Sequence, residues 1–164
     1  MKTRDELIQE IHDEREAWQA LLAEVGEDRM EEPGPMGDWT FKDLAAHLTF
    51  WQDRMLARTA RGPGASPPAP WPSSMGDEDD EDSWEEINAW IREQDRGRPL
   101  GDILEDADRS YERFAALIAS MPEDHLMTPG RYEVMGDKAL IEADFFSHLH
   151  EEHEPSLREW LRSR

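Results

Sequence analysis

The sequence predicts an all-α fold, a bundle of four long amphipathic helices with one short helix. Three observations carry this. Apolar residues recur at three- and four-residue steps through four long segments. Two of those segments open at capping boxes. Strand signals are almost absent, "RYEVM" (131–135) being the only short candidate.

The first helix opens at Thr-Arg-Asp-Glu (3–6) and carries Leu7, Ile8, Ile11, Trp18, Leu21, Leu22 and Val25 as its stripe, ending near Gly26. "EEPGPMGDW" (31–39) reads as a loop. Thr40 then caps a second helix with Asp43 as its acid at the third position. Phe41, Leu44, Leu48, Trp51 and Met55 form its stripe, and it ends by Gly62. Residues 63–82, "PGASPPAPWPSSMGDEDDED", have neither helical nor strand period and read as a long flexible loop, with Trp71 the one hint of packing. Ser83 can cap a short helix bearing Trp84, Ile87 and Ile91. Pro99 opens the next long helix, with Leu100, Ile103, Leu104, Ala107, Tyr111, Phe114 and Ile118 on one face. A last helix is predicted from about Lys138 to Arg162. No internal repeat is evident, and the 164 residues suit one domain with one core.

Composition narrows the function. The chain carries 39 acidic against 18 basic residues, a formal charge of −21. Phosphate binding needs concentrated positive charge, so nucleic acid and anionic membranes are not expected partners. With no cysteine, disulfides, zinc–thiolate sites and cysteine nucleophiles are excluded, and any metal must be held by His, Asp, Glu and water. No apolar run reaches about 18 residues. "MKTRDELIQEI" lacks the apolar region of a signal peptide, so a cytoplasmic location is expected.

Three of the six histidines fall within "HLHEEH" (148–153). At about 100° per helical residue, His150 and His153 fall among Phe145, Phe146, Leu149, Leu157, Trp160 and Leu161. His148 falls on the polar side with Asp144, Glu151 and Glu152. His47 flanks the stripe of the second helix. If the second and last helices pack together, His47, His150 and His153 can converge as ligands for a divalent metal, Zn, Ni, Mn or Fe, leaving a position for water or substrate. The alternative is that these histidines hydrogen-bond carboxylates or carbonyls within the core. Pro155 predicts a kink after His153. His12 and His125 read as structural or surface residues.

"GDWTFKDLAAHLTFWQDRM" (37–55) resembles the second-helix signature of the DinB-like superfamily. "MPEDHL" (121–126) and "MGDKALIEADFFSHLHEEHEPSLREWL" (135–161) look like the C-terminal half of its ClbS/DfsB branch. The resemblance implies an up-down four-helix bundle, often a homodimer. It also implies a divalent metal on three histidines, one from helix two and two from the last helix. Activities implied are thiol-dependent transfer or isomerisation, with a low-molecular-weight thiol, and hydrolysis of a reactive metabolite. His47 matches the second-helix ligand and His153 the second of the C-terminal pair. The first of that pair would fall at position 149, which is Leu149. His148 and His150 flank it; the helical wheel favours His150, while a π-bulge would bring His148 round.

Other candidates carry less. Asp77–Asp82 lacks the spacing of a calcium loop and reads as solvated. Asp43 and Asp144 could orient a ligand or act as a base. Trp51, Trp71 and Trp84 could line a pocket beneath the long loop, or simply pack. The expected function is metal-assisted hydrolysis or thiol-dependent transfer on a small-molecule substrate, as in detoxification. The competing expectations are a non-catalytic binding bundle that lost the metal, and a structural dimer.

Overall fold

The computed structural model describes residues 2–62, 64 and 66–163. They form an all-α bundle. α1 (Arg4–Val25) and α2 (Phe41–Ala60) open at capping boxes in which Thr3 and Thr40 accept from the backbone of Glu6 and Asp43, while those acids accept from the cap N–H groups. α3 (Trp84–Asp95) is the short extra helix. α4 (Leu100–Ser120) lies against both α1 and α2. A short α5 (Glu123–Met127) follows. The chain finishes with a π-helical turn (His148–His153) running into α6 (Glu154–Arg162). Among the described residues no helix is long and apolar enough to cross a membrane.

The core is built from the predicted stripes. Leu7, Ile11, Phe41, Leu44, Phe114 and Ile118 are each 0–1 % exposed, and Trp18 stacks on Phe41 with ring centres 5.5 Å apart. Burying a side chain of this size contributes roughly 1.5–3 kcal/mol against the entropy of ordering it.

Four local expectations are corrected. The segment 31–40 is not wholly loop: β1 (Pro33–Met36) pairs antiparallel with β2 (Trp39–Thr40) through a two-residue turn at Gly37–Asp38. Gly37 has φ +65, as a turn with glycine in its first central position requires. This hairpin packs against α6. A Cβ on Gly34, which has φ +137, would lie 2.5 Å from Trp160 Nε1. "RYEVM" is not a strand but holds a 3₁₀ turn at Glu133–Met135.

Ser83 does not cap α3. Its hydroxyl donates to Asp80, whose carboxylate also accepts from Asp82 N–H. Finally, the last helix does not begin near Lys138. Leu140–Glu142 form a 3₁₀ turn, Ala143 is extended, and Asp144 accepts from Phe146 N–H at 3.2 Å. Leu140 and Ile141 are 0 % and 1 % exposed. Burying these adjacent residues, together with a short acid bonding its own downstream backbone, opposes a regular amphipathic helix there.

The described part of the long loop is held down. Arg54, 9 % exposed, pairs with Glu78 at 2.8 Å and donates to the carbonyls of Pro67 and Pro68. With its donors met on several sides, this buried guanidinium is compensated as a buried charge must be. Trp71 is 4 % exposed in a second small core with Ile87 and Ile91, its indole N–H donating to Gly76 C=O. Pro63 and Ala65 lie outside the described residues.

Candidate metal centre

His47 sits in the middle of α2, whose start is fixed by the Thr40–Asp43 box. It is 3 % exposed, with Trp39 edge-on at 5.5 Å between ring centres. Asp43 takes no part in the histidine cluster: it is committed to the cap and to Arg92 at 3.2 Å.

The C-terminal pair is set by the π-turn. Pro155 has no N–H to give Glu151, and its ring opposes an α-helical carbonyl there. Glu154 N–H reaches back five residues to Leu149 C=O. Bonding of i to i+5 adds about one residue per turn. Residues five apart then return to one face, while residues three apart separate. His148 and His153 therefore face the same way, and their Nε2 atoms lie 3.1 Å apart. His148 Nε2 lies 2.9 Å from His47 Nε2.

The structure thus brings His47 and His153 together and adds His148 in the place expected of His150. The imidazole of His150 is turned outward. Its Nδ1 lies 2.7 Å from Glu154 and its Nε2 2.9 Å from Glu14, so both nitrogens are engaged away from the cluster. The wheel misplaced these two residues because it assumed 3.6 residues per turn throughout.

The three imidazoles suit a cation chemically. Burial, then the neighbouring His148 and His153, pushes His47 down to about 3; burial and His148 push His153 down to about 4. Both rings are therefore neutral at pH 7 and keep a lone pair for a ligand. His148 Nδ1 lies 3.3 Å from Glu152, one helical step on, a carboxylate placed to hold Nε2 toward the cluster. Two nitrogens each about 2.0–2.1 Å from one ion stand roughly 2.9–3.4 Å apart at octahedral to tetrahedral angles. The two pairs that include His148, at 2.9 and 3.1 Å, match this, and the three ligand atoms all lie within 4.8 Å of one another. His47, His148 and His153 are the three-residue group, among the described residues, able to hold a divalent ion in this way.

The cluster lies on a cavity of about 640 Å³. Trp51, Tyr111, Phe114 and Phe146 give it an aromatic wall, and Glu78, Trp84 and Asn88 from the loop and α3 complete one side. Trp51 donates to Asn88 Oδ1 at 3.0 Å. Of the tryptophans expected there, Trp51 and Trp84 line the cavity, whereas Trp71 belongs to the second core. Asp144 also lines it while bonding its own backbone. The acidic run 77–82 is spent on loop turns and on Arg54 and Arg58. His12 is exposed, and His125 Nδ1 lies 3.3 Å from Tyr132 OH, away from the cluster. Glu152 was not singled out from sequence, although its four-residue spacing from His148 was the signal.

A helical bundle with three histidines beside one aromatic cavity defines a class of candidate metal site between helices. Residues 11–154 match the family model described as the mycothiol maleylpyruvate isomerase N-terminal domain, and the chain belongs to that family, which is DinB-like. Comparison with curated proteins and with solved structures gave no significant match.

Proposed function

We propose that the protein is a metal-dependent enzyme acting on a small molecule, by thiol-dependent transfer or by hydrolysis, in a detoxifying role. The observation that carries this is the convergence of the Nε2 atoms of His47, His148 and His153 on the wall of an open cavity. The family name, with its reference to a thiol-dependent isomerase, supports the thiol reading. The resemblance of the C-terminal segment to the ClbS/DfsB pattern is the support for hydrolysis.

A divalent ion bound there supplies a Lewis acid that polarises a substrate atom or acidifies a water or thiol. The chain's own residues set the conditions. His47, buried and neutral, presents a lone pair that protons do not block at pH 7. Glu152, 3.3 Å from His148 Nδ1, is placed to orient that imidazole. The aromatic wall lowers the polarity beside the cluster, which strengthens electrostatic interactions there. Cysteine is absent, so a thiol nucleophile must come from a cosubstrate.

The test is turnover by zinc-, nickel-, manganese- and iron-loaded protein of an electrophile panel, with and without mycothiol, bacillithiol or glutathione. Metal-dependent turnover that His148→Ala abolishes and His150→Ala keeps supports the proposal. Turnover indifferent to metal and to His148 contradicts it.

One observation favours a second reading, a binding bundle without catalysis. His47 Nδ1 is buried with no hydrogen-bond partner, whereas a metal-bound imidazole is usually oriented by a carboxylate or carbonyl on its second nitrogen. Tight ligand binding without turnover under every metal and thiol would establish it.

A further inference from the structure

A ligand imidazole binds a metal well when its ring is held at one rotation, and the usual device is a hydrogen bond on its second nitrogen. His148 has such a partner in Glu152, 3.3 Å from its Nδ1. His47 has none, for its Nδ1 is buried without a hydrogen-bond partner. Its Nε2 is nevertheless presented to His148 at 2.9 Å. Packing must supply the orientation that no hydrogen bond supplies.

Among the described residues, the rings that meet His47 are those of His148, His153 and Trp39. The first two belong to the cluster itself. Trp39 lies outside it, with ring centres 5.5 Å apart and planes at 78°. This is the edge-to-face arrangement that aromatic rings prefer, because the positive edge of one ring meets the negative face of the other. At 3 % exposure, His47 has no open space into which it can turn away from that contact.

Trp39 is fixed in its turn. Its backbone lies in β2 opposite Met36 of β1, and the next residue is Thr40, the cap of α2. The hairpin and the helix that carry the two rings are joined at that cap. The guanidinium of Arg92, on α3, lies 5.3 Å from the centre of the indole. Arg92 also donates to the carboxylate and the carbonyl of Asp38 at 3.0 Å each, and to Asp43 at 3.2 Å. One side chain of α3 thereby ties together the hairpin turn, the acid of the α2 capping box and the indole.

We infer that Trp39 is a positioning residue of the metal centre: its ring fixes the rotation of the His47 imidazole, which no hydrogen bond fixes. This deepens the reading above and rests on its claim that His47 is a metal ligand. It gives the hairpin and the short extra helix α3 a part in the site, although neither contributes a ligand.

The experiment titrates cobalt(II) into metal-free wild type, Trp39→Phe and Trp39→Leu. Affinity is read by competition with a chelator. The visible absorption bands of the bound ion report its coordination geometry, and the melting temperature of each metal-free variant is recorded beside them. Trp39→Leu should lower cobalt affinity roughly tenfold or more, the usual loss when a group that orients a ligand is removed, and should alter the bands. Trp39→Phe keeps an aromatic edge and face, and should stay within about threefold of wild type with the wild-type bands. Trp39→Met repeats the comparison should the leucine variant misfold.

A purely structural role for Trp39 predicts a lower melting temperature with cobalt affinity and bands unchanged, and that result overturns the inference. So does a phenylalanine variant that binds as weakly as the leucine variant. No cobalt bound by the wild type overturns the metal reading and this inference with it. Wild-type binding that Trp39→Leu leaves untouched overturns this inference alone, so the two failures are distinguishable.

Discussion

His148 and His150 stand two residues apart and meet opposite surroundings. One joins two neutral imidazoles on a cavity wall; the other is held between Glu14 and Glu154. The hydrogen bond with Glu154, with further help from Glu14, raises the pKa of His150, while burial depresses those of His47 and His153 to about 3 and about 4. The signs oppose. In the unfolded chain an imidazole titrates at about 6.5, so the unfolded state takes up protons that folded His47 and His153 refuse. Their contribution in the metal-free protein is therefore full above about pH 6.5 and falls as pH drops toward the folded values. His150 contributes below its unfolded value and loses that as pH rises through its raised one. Urea denaturation from pH 7.5 to 4.5 should show a shallower acid loss for His47→Gln than for wild type; an unchanged slope contradicts the assignment. None of this polarity was visible in sequence, because both histidines share one short charged segment and differ only in which way the backbone turns.

Helix existence was legible because 3.6-residue periodicity and capping boxes are local. The Thr3 and Thr40 starts fall where the sequence places them. Departures from that period were not legible. The last helix is predicted from about Lys138, yet buried Leu140 and Ile141 and the Asp144 turn delay it. The hairpin at 33–40 was hidden by two prolines and a strand of two residues. Pro155 gave the clue to the π-turn, and it is that turn which places His148 rather than His150 beside His47 and His153.

Two element-scale outcomes follow. Pro155→Ala restores a donor to the helix and favours α-bonding through residues 148–153, which swings His148 off the cluster. Metal affinity, read by calorimetry, should fall roughly tenfold or more, while thermal stability holds or rises. Unchanged affinity contradicts the role given to the π-turn. Gly34→Ala puts a Cβ against the indole of Trp160 at φ +137, and should cost about 1–3 kcal/mol in denaturant unfolding. A neutral effect removes the hairpin from the account of how α6 is held.

At the scale of the molecule, the acidic surface and the core act against each other. Ion pairs join the helices, Arg15 to Asp108 at 2.8 Å, Arg113 to Asp53 at 2.6 Å and Arg158 to Glu24 among them. They leave most carboxylates without a cation, since 39 acids face 18 bases. Self-repulsion at a charge of −21 destabilises the compact state, and salt screens it over about 10 Å at 0.1 M. The melting temperature should rise between 0.02 and 1 M NaCl; a fall would show that the helix-joining pairs outweigh the repulsion.

The most direct test of the central claim is elemental analysis, after reconstitution and dialysis, of the wild type beside His148→Ala and His150→Ala. The account predicts near-stoichiometric divalent metal in the wild type and in His150→Ala, and loss in His148→Ala. Metal retained without His148 and lost without His150, or no metal in any of the three, contradicts it.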